Sequence, residues 1–247
     1  MALTTIGLMA LLGCFTGFMA GLLGIGGGMI ITPFLIMLIP SSLIPHEHIV
    51  HVAIATSLAT IAFTSLSSVR AHHKRGAVLW NVVASVAPGI LVGAVVGAQI
   101  AGWLPTFWLS LIFAAFVGFS AFKMFLNKSP RPDRNLPGTI GKFFMGIAIG
   151  ILSALVGAGG GFISVPWMIW CNVKMQNAVA TSAAFGFPIA LFGTIGYIIS
   201  GWNVSGLPPW PIDLGYICIP ALFSVAITSV LFAPLGAKVA HSIDTKP

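Results

Sequence analysis

Ionisable side chains divide this sequence into a few long blocks that contain none. Residues 1–46, 48–69, 76–122, 143–173, 175–212 and 214–237 hold no Asp, Glu, Lys or Arg. A helix needs about 20 apolar residues to cross some 30 Å of hydrocarbon. Blocks 48–69 and 214–237 fit one such helix each, and the longer blocks fit two, divided where glycine or proline clusters. This reading gives nine hydrophobic segments, about 4–23, 27–44, 48–70, 78–101, 104–126, 139–157, 160–171, 175–200 and 212–238. The expected fold class is an all-α membrane protein. Only 6% of the 247 residues are charged and 57% are hydrophobic, too little charge to cover a soluble domain of this length. A soluble enzyme, a disordered chain and a disulfide scaffold are excluded. Cys14, Cys171 and Cys218 lie far apart with no metal-ligand spacing, so no metal site and no cofactor are expected.

The net charge of +7 follows membrane topology, and no nucleic-acid partner is expected. With nine alternating crossings, all eleven Lys and Arg fall on one side, which the positive-inside rule makes cytoplasmic. They include Arg70, Lys74, Arg75, Lys123, Lys128, Arg131, Arg134, Lys142, Lys174, Lys238 and Lys246. The opposite stretches, 40–51, 101–106 and 200–213, carry Glu47 and Asp213 but no basic residue. The N-terminus is then outside, and its start lacks the basic residues of a signal peptide. Trp103, Trp108, Trp202 and Trp210 fall near the outer interface, and Trp80 and Trp170 near the inner one. The expected location is a bacterial-type inner membrane, multi-pass.

The chain also repeats itself. Residues 17–33 and 150–166 match at an offset of 133, with eight of 17 positions identical: Gly17, Leu22, Gly24, Gly26, Gly27, Gly28, Ile30 and Pro33. Ala53–Ser57 matches Ala178–Ser182 at an offset of 125, and Gly97–Ala101 matches Gly236–Ala240 more weakly. Five segments separate the copies, an odd number, so the second copy is inverted. The expected organisation is a first half over 1–126, a cytoplasmic connecting loop over 127–138, and a second, inverted half over 139–247. Segments 27–44 and 160–171 are short or interrupted by proline, which suits re-entrant hairpins. Inverted repeats with broken helices mark secondary transporters, with the substrate near the midplane.

These residues resemble the sulfite exporter TauE/SafE family, also called the toluene-sulfonate uptake permease family. Its GxGGGxxxxP pattern occurs twice, at Gly24–Pro33 and Gly157–Pro166, its Ala-Thr-Ser element at Ala55–Ser57 and Ala180–Ser182, and its His-basic-Gly turn at His72–Gly76. The resemblance covers nearly the whole chain. It implies membrane export or uptake of sulfur oxyanions such as sulfite, sulfoacetate or other organosulfonates. Family members usually carry a final hydrophobic helix. Here the chain reaches Pro247 where the counterpart of segment 104–126 would begin, so the second half is expected to lack it.

The candidate site follows from backbone chemistry. Gly26, Gly27 and Gly28, and likewise Gly159, Gly160 and Gly161, break the preceding helix. Each leaves the next helix with unpaired N–H groups at its start, which in hydrocarbon need a partner. A dehydrated anion supplies one, aided by the helix dipole; close packing of small residues is the competing reading. Thr56, Ser57, Thr181 and Ser182 are candidate hydroxyl donors, against bonding to their own helix or to a neighbouring one. Asn177 and Gln99 are candidate contacts or interhelical bonds. His46, Glu47, His48 and His51 cluster at the outer rim, where an exposed loop is favoured over a metal site. No ionisable residue is expected at mid-membrane, so none is assigned to coupling. The function expected is a secondary transporter, and an exporter on the inside-negative potential, with an anion-selective channel as the alternative. An intramembrane enzyme is not expected. The partners are a small anionic substrate and membrane lipid, with a homodimer left open.

Overall fold

The computed structural model of the chain describes residues 3–24, 26–40, 43–125, 135–209, 212–240 and 242. Lys128, Arg131 and Arg134 of the expected connecting loop, with Trp210, Lys246 and the end of the chain, lie outside the described residues. Nine helices form among those described: α1 (Leu3–Leu23), α2 (Gly28–Leu38), α3 (Ile49–His73), α4 (Trp80–Trp103), α5 (Thr106–Phe125), α6 (Thr139–Val156), α7 (Gly161–Trp170), α8 (Met175–Gly201) and α9 (Ile219–Ala240). Between α8 and α9 runs a hairpin of two short antiparallel strands, β1 (Asp213–Leu214) and β2 (Ile217–Cys218), with Asp213 opposite Cys218. Helices α1, α3, α4, α6, α8 and α9 are long and apolar enough to cross a bilayer. With its family and relatives given below, this makes the chain an integral multi-pass membrane protein. Helices α2 and α7 have only 11 and 10 residues, about 16 Å at 1.5 Å per residue, or half the hydrocarbon thickness.

Two helices form the centre. Every residue of α3 from Val50 to Ile61 and of α8 from Ala178 to Gly186 is buried, the pattern of a helix enclosed on all sides. The outer helices turn large apolar side chains outward, among them Leu11 and Phe15 of α1, Phe119 of α5 and Leu231 of α9. Such faces are a liability in water and ordinary in lipid.

With no hydrophobic effect between helices in lipid, close backbone approach must hold them. Glycines allow it. A β-carbon at Gly13, Gly17 or Gly21 of α1 would lie 2.4, 2.2 or 2.0 Å from the carbonyl oxygen of Val225, Ser229 or Ala233 of α9. Gly89, Gly93 and Gly97 of α4 meet Phe143, Ile147 and Ile151 of α6 in the same manner. The ascending numbers on both partners make each pair parallel. Helix α3 runs parallel to α9, through Thr56 with Cys218 and Thr64 with Ser229. Helix α8 runs parallel to α4, through Gln99 with Gly196 and Gly102 with Ser200. Between the two sets, α3 and α8 are antiparallel, since Leu58 faces Gly193 and Ser65 faces Gly186. Three helices, α1, α3 and α9, therefore run one way, and α4, α6 and α8 the other. The C-termini of α3 and α9 then share one end with the N-termini of α6 and α8. Arg70, Lys74, Arg75, Lys142, Lys174 and Lys238 all sit at that end.

Replacing Gly17 or Gly150 by leucine forces a side chain into backbone and should cost about 1–3 kcal/mol or more. The β-carbon at Gly150 would be 2.7 Å from Ile90 O and from Ala94 N. Gly118→Leu, with nothing within 4 Å, should shift stability by no more than about 0.5 kcal/mol. Thermal unfolding of the detergent-solubilised variants checks this, and equal melting temperatures for all three would refute the packing account.

Candidate functional site at the glycine hinges

The breaks in the apolar pattern become two hinges. The chain leaves α1 and turns before α2 begins at Gly28; it leaves α6 and turns through Gly157 to Gly160 before α7 begins at Gly161. The residues that cap these half-helices have nearly the same backbone angles: φ 74°, ψ −10° at Gly27 and φ 77°, ψ −9° at Gly160. This left-handed conformation is strained for any residue with a β-carbon. No side chain caps either half-helix.

The hinges touch each other. A β-carbon at Gly26 would lie 3.0 Å from Gly159 Cα, and one at Gly28 would lie 1.9 Å from Gly157 O. Gly26 and Gly28 both lie against Ile61, the middle residue of α3. Gly159 O faces Gly186, deep in α8. The two half-helices start from this central contact and lead to the first residues of α3 and of α8, which lie at opposite ends of the bundle. They diverge from one point in opposite directions.

The serines of the two Ala-Thr-Ser elements secure the hinges. Ser57 Oγ lies 3.2 Å from both Gly28 O and Gly157 O, sharing its proton between them. Ser182 Oγ donates to Gly24 O at 3.0 Å and accepts from Ser164 Oγ at 2.8 Å. The threonines accept rather than donate: Thr56 from Cys218 N and Thr181 from Leu79 N, each at 3.0 Å. Further out, His72 Nε2–H donates to Gly21 O at 3.2 Å and the Tyr197 hydroxyl to Ala154 O at 3.0 Å. Six of these eight bonds come in pairs whose members differ by 125 on α3 and α8, by 133 on the hinges, and by 139 on Leu79 and Cys218.

Of the residues picked from sequence, the six glycines, Ser57 and Ser182 come together here. Thr56 and Thr181 stand next to these serines but turn to Cys218 N and Leu79 N, and Gln99 and Asn177 lie elsewhere. Gln99 Nε2 donates to Gly196 O at 3.0 Å, and Asn177 Nδ2 to Ala77 O at 3.1 Å, both joining helices to neighbours. Sequence reasoning missed two hydroxyls. Thr32 Oγ1 and Ser153 Oγ are buried without a hydrogen-bond partner among the described residues. A β-carbon at Gly157 would be 3.0 Å from the first, and one at Gly160 would be 3.3 Å from the second. Their signal was faint: Thr32 directly precedes Pro33, and Ser153 sits one turn before Gly157. A pocket beside the contact, lined by Ala20, Gly26, Ser65, Ser68, Ala183 and Gly186, is too tight for water.

The outer rim differs from expectation at one position. Glu47 is exposed and lies 3.7 Å from His48, but His51 is buried. Its Nε2–H points at Ala101 O and Leu104 O, 3.1 and 3.0 Å away, and its ring stacks on Tyr216 at 5.1 Å. It ties the start of α3 to the end of α4. Among the described residues no group of three His, Cys, Asp or Glu is placed to hold a metal.

A model of the family described as "Sulfite exporter TauE/SafE" matches residues 9–247. The chain is 34% identical over 236 residues to a probable membrane transporter protein of Haemophilus influenzae, covering 95% of this chain and 89% of that one. It is 30% identical over 194 residues to the probable membrane transporter protein YdhB of Bacillus subtilis, covering 75% and 76%. It is 28% identical over 247 residues to a probable membrane transporter protein of Methanocaldococcus jannaschii, covering 97% and 88%. No solved structure matches the chain significantly.

The threonine geometry makes a prediction. Thr56→Val keeps the shape but leaves the buried Cys218 N–H unpaired and should destabilise by about 1–3 kcal/mol; Thr181→Val, whose Leu79 partner is half-buried, should cost less. Thr56→Ser and Thr181→Ser should recover most of it. A valine variant that unfolds thermally like wild type would remove the hydrogen bond from the account.

Proposed function

The chain belongs to the sulfite exporter TauE/SafE family, and we propose that it is a secondary transporter exporting small sulfur-containing oxyanions, bound at the midplane between the two glycine hinges. Its relatives' names make it a membrane transporter; the substrate, direction and site are our reading. One observation carries it. Two half-helices begin at left-handed glycines, point apart, and meet backbone to backbone beside the middle of α3. Parting them would bare two sets of helix-start N–H groups to one guest, with the dipole of each half-helix favouring negative charge. Thr32 and Ser153 add free hydroxyls beside them.

The paired bonds support an inverted repeat of 1–126 and 139–247, in which rocking of one half against the other exposes the guest to each side in turn. Among the described residues the hinges meet backbone to backbone at the centre, which favours a carrier over a channel. Export follows from the membrane potential, worth about 2.3 kcal/mol per charge per 100 mV on an anion leaving a negative interior.

The test is flux from proteoliposomes loaded with sulfite or sulfoacetate. Wild type should show slow, saturable, potential-driven efflux. Thr32→Val and Ser153→Ala should each raise the half-saturating concentration about ten- to a hundredfold, the worth of one hydrogen bond to a charged group. Gly27→Leu with Gly160→Leu should abolish flux. Absence of flux for every sulfur oxyanion would refute the substrate class, and unitary currents in planar bilayers would refute the carrier.

A further inference from the structure

Asp213 sits where an unpaired charge is costly. It was expected in an outer loop, yet its exposure is only 4%, and neither carboxylate oxygen has a hydrogen-bond partner among the described residues. It opens β1 and faces Cys218 of β2, whose thiol is a weak donor. The stretches that build this part of the molecule, 3–69, 76–122 and 175–237, hold no Lys or Arg, so none of them supplies a side-chain ammonium or guanidinium to neutralise it. The titratable groups around the hairpin are Cys218 and Tyr216 on the hairpin itself, His48 and His51 at the start of α3, Tyr197 on α8, and the terminal amino group, whose positive charge acts on Cys218. From α9, Ile219 to Ala237 contribute none. The imidazoles of His48 and His51 lie against Tyr216, at 6.0 and 5.1 Å between ring centres.

The hairpin connects directly to the hinges. Cys218 N–H donates to Thr56 Oγ1, and the next residue, Ser57, holds the carbonyls of Gly28 and Gly157. The corresponding bond on the other side, Leu79 N to Thr181, starts from the exposed turn His73–Gly76, where Lys74 stands at the position 139 before Asp213. One face of the molecule thus carries a buried acid where the other carries an exposed base.

We propose that Asp213 is a proton-binding site that controls the outer face: protonated, it stays in the hairpin and holds that face shut; deprotonated, it releases its proton to external water, leaves the hairpin and frees Thr56. The proposal rests on the transporter reading for its purpose but not for its chemistry. A buried, unpaired carboxyl persists only in its neutral form. Burial, partly offset by the Cys218 thiol, pushes Asp213 up from 3.8 to about 7, and burial pushes the Cys218 thiol up to about 12. Because the folded value is raised, the stability that Asp213 confers is complete below 3.8 and is lost as pH climbs to about 7.

Cys218 provides the readout. An impermeant maleimide applied from outside is followed at Cys218 by mass spectrometry between pH 5.5 and 8.5. Thiolate formation alone raises the rate about tenfold per pH unit. If the hairpin must first lose the Asp213 proton, wild type should gain about a hundredfold per unit below pH 7 and about tenfold above it. Asp213→Asn should gain about tenfold throughout, and its melting temperature should not fall between pH 5 and 8 as that of wild type does. A wild-type slope of tenfold per unit over the whole range would overturn the proposal, whatever the variant does. The same proteoliposomes separate the two readings: loss of all flux with the biphasic labelling intact refutes the transport assignment, while flux insensitive to external pH with a single slope refutes the proton site.

Discussion

Backbone amides buried away from water must find partners, and this molecule breaks two helices where that rule is most severe. The hinges survive because each supplies what the other lacks. Carbonyls exposed by the turn at Gly24 and Gly157 are taken by Ser182 and Ser57, and the serines come from helices that are themselves enclosed. Remove the central pair α3 and α8 and the hinges have nothing to close on. The glycines at Gly27 and Gly160 are required by their backbone angles, and those at Gly26 and Gly28 by contact with the opposite hinge.

The periphery obeys the same economy by a different route. Helices α1 and α9, and α4 and α6, approach until carbonyl oxygens would touch an added β-carbon. Dispersion between such close backbones takes over the role that apolar burial has in water. Each of these outer pairs joins a helix that ends in a hinge to one that packs on a central helix. Each hinge is therefore tied, through the helix that leads into it, to one of these pairs.

Much of this was legible in advance. Charge-free blocks marked the apolar helices, and duplication of GxGGGxxxxP located both hinges before any coordinates. Ser57 and Ser182 were picked as hydroxyls near the break, either for a ligand or for a neighbouring helix; here they bond protein carbonyls, and Thr56 and Thr181 accept from backbone. A hydroxyl's partner depends on which chain passes within about 3 Å, and motif spacing does not encode that. Thr32 and Ser153 escaped notice for the same reason. His51 and Asp213 looked like loop residues because their neighbours in sequence are polar or turn-forming, whereas their burial comes from the β hairpin folding over the start of α3.

What the sequence determined alone was the solvent, the class of fold and the place of the hinges, because these follow from local apolarity, from glycine and proline, and from the sorting of Lys and Arg. Tertiary structure decided which groups face each other: hinge against hinge, serine against carbonyl, and an acid against a thiol. The pairings at the hinges join residues 100 or more positions apart, as Ser57 and Gly157 do, and only packing of the whole chain brings them within a hydrogen bond.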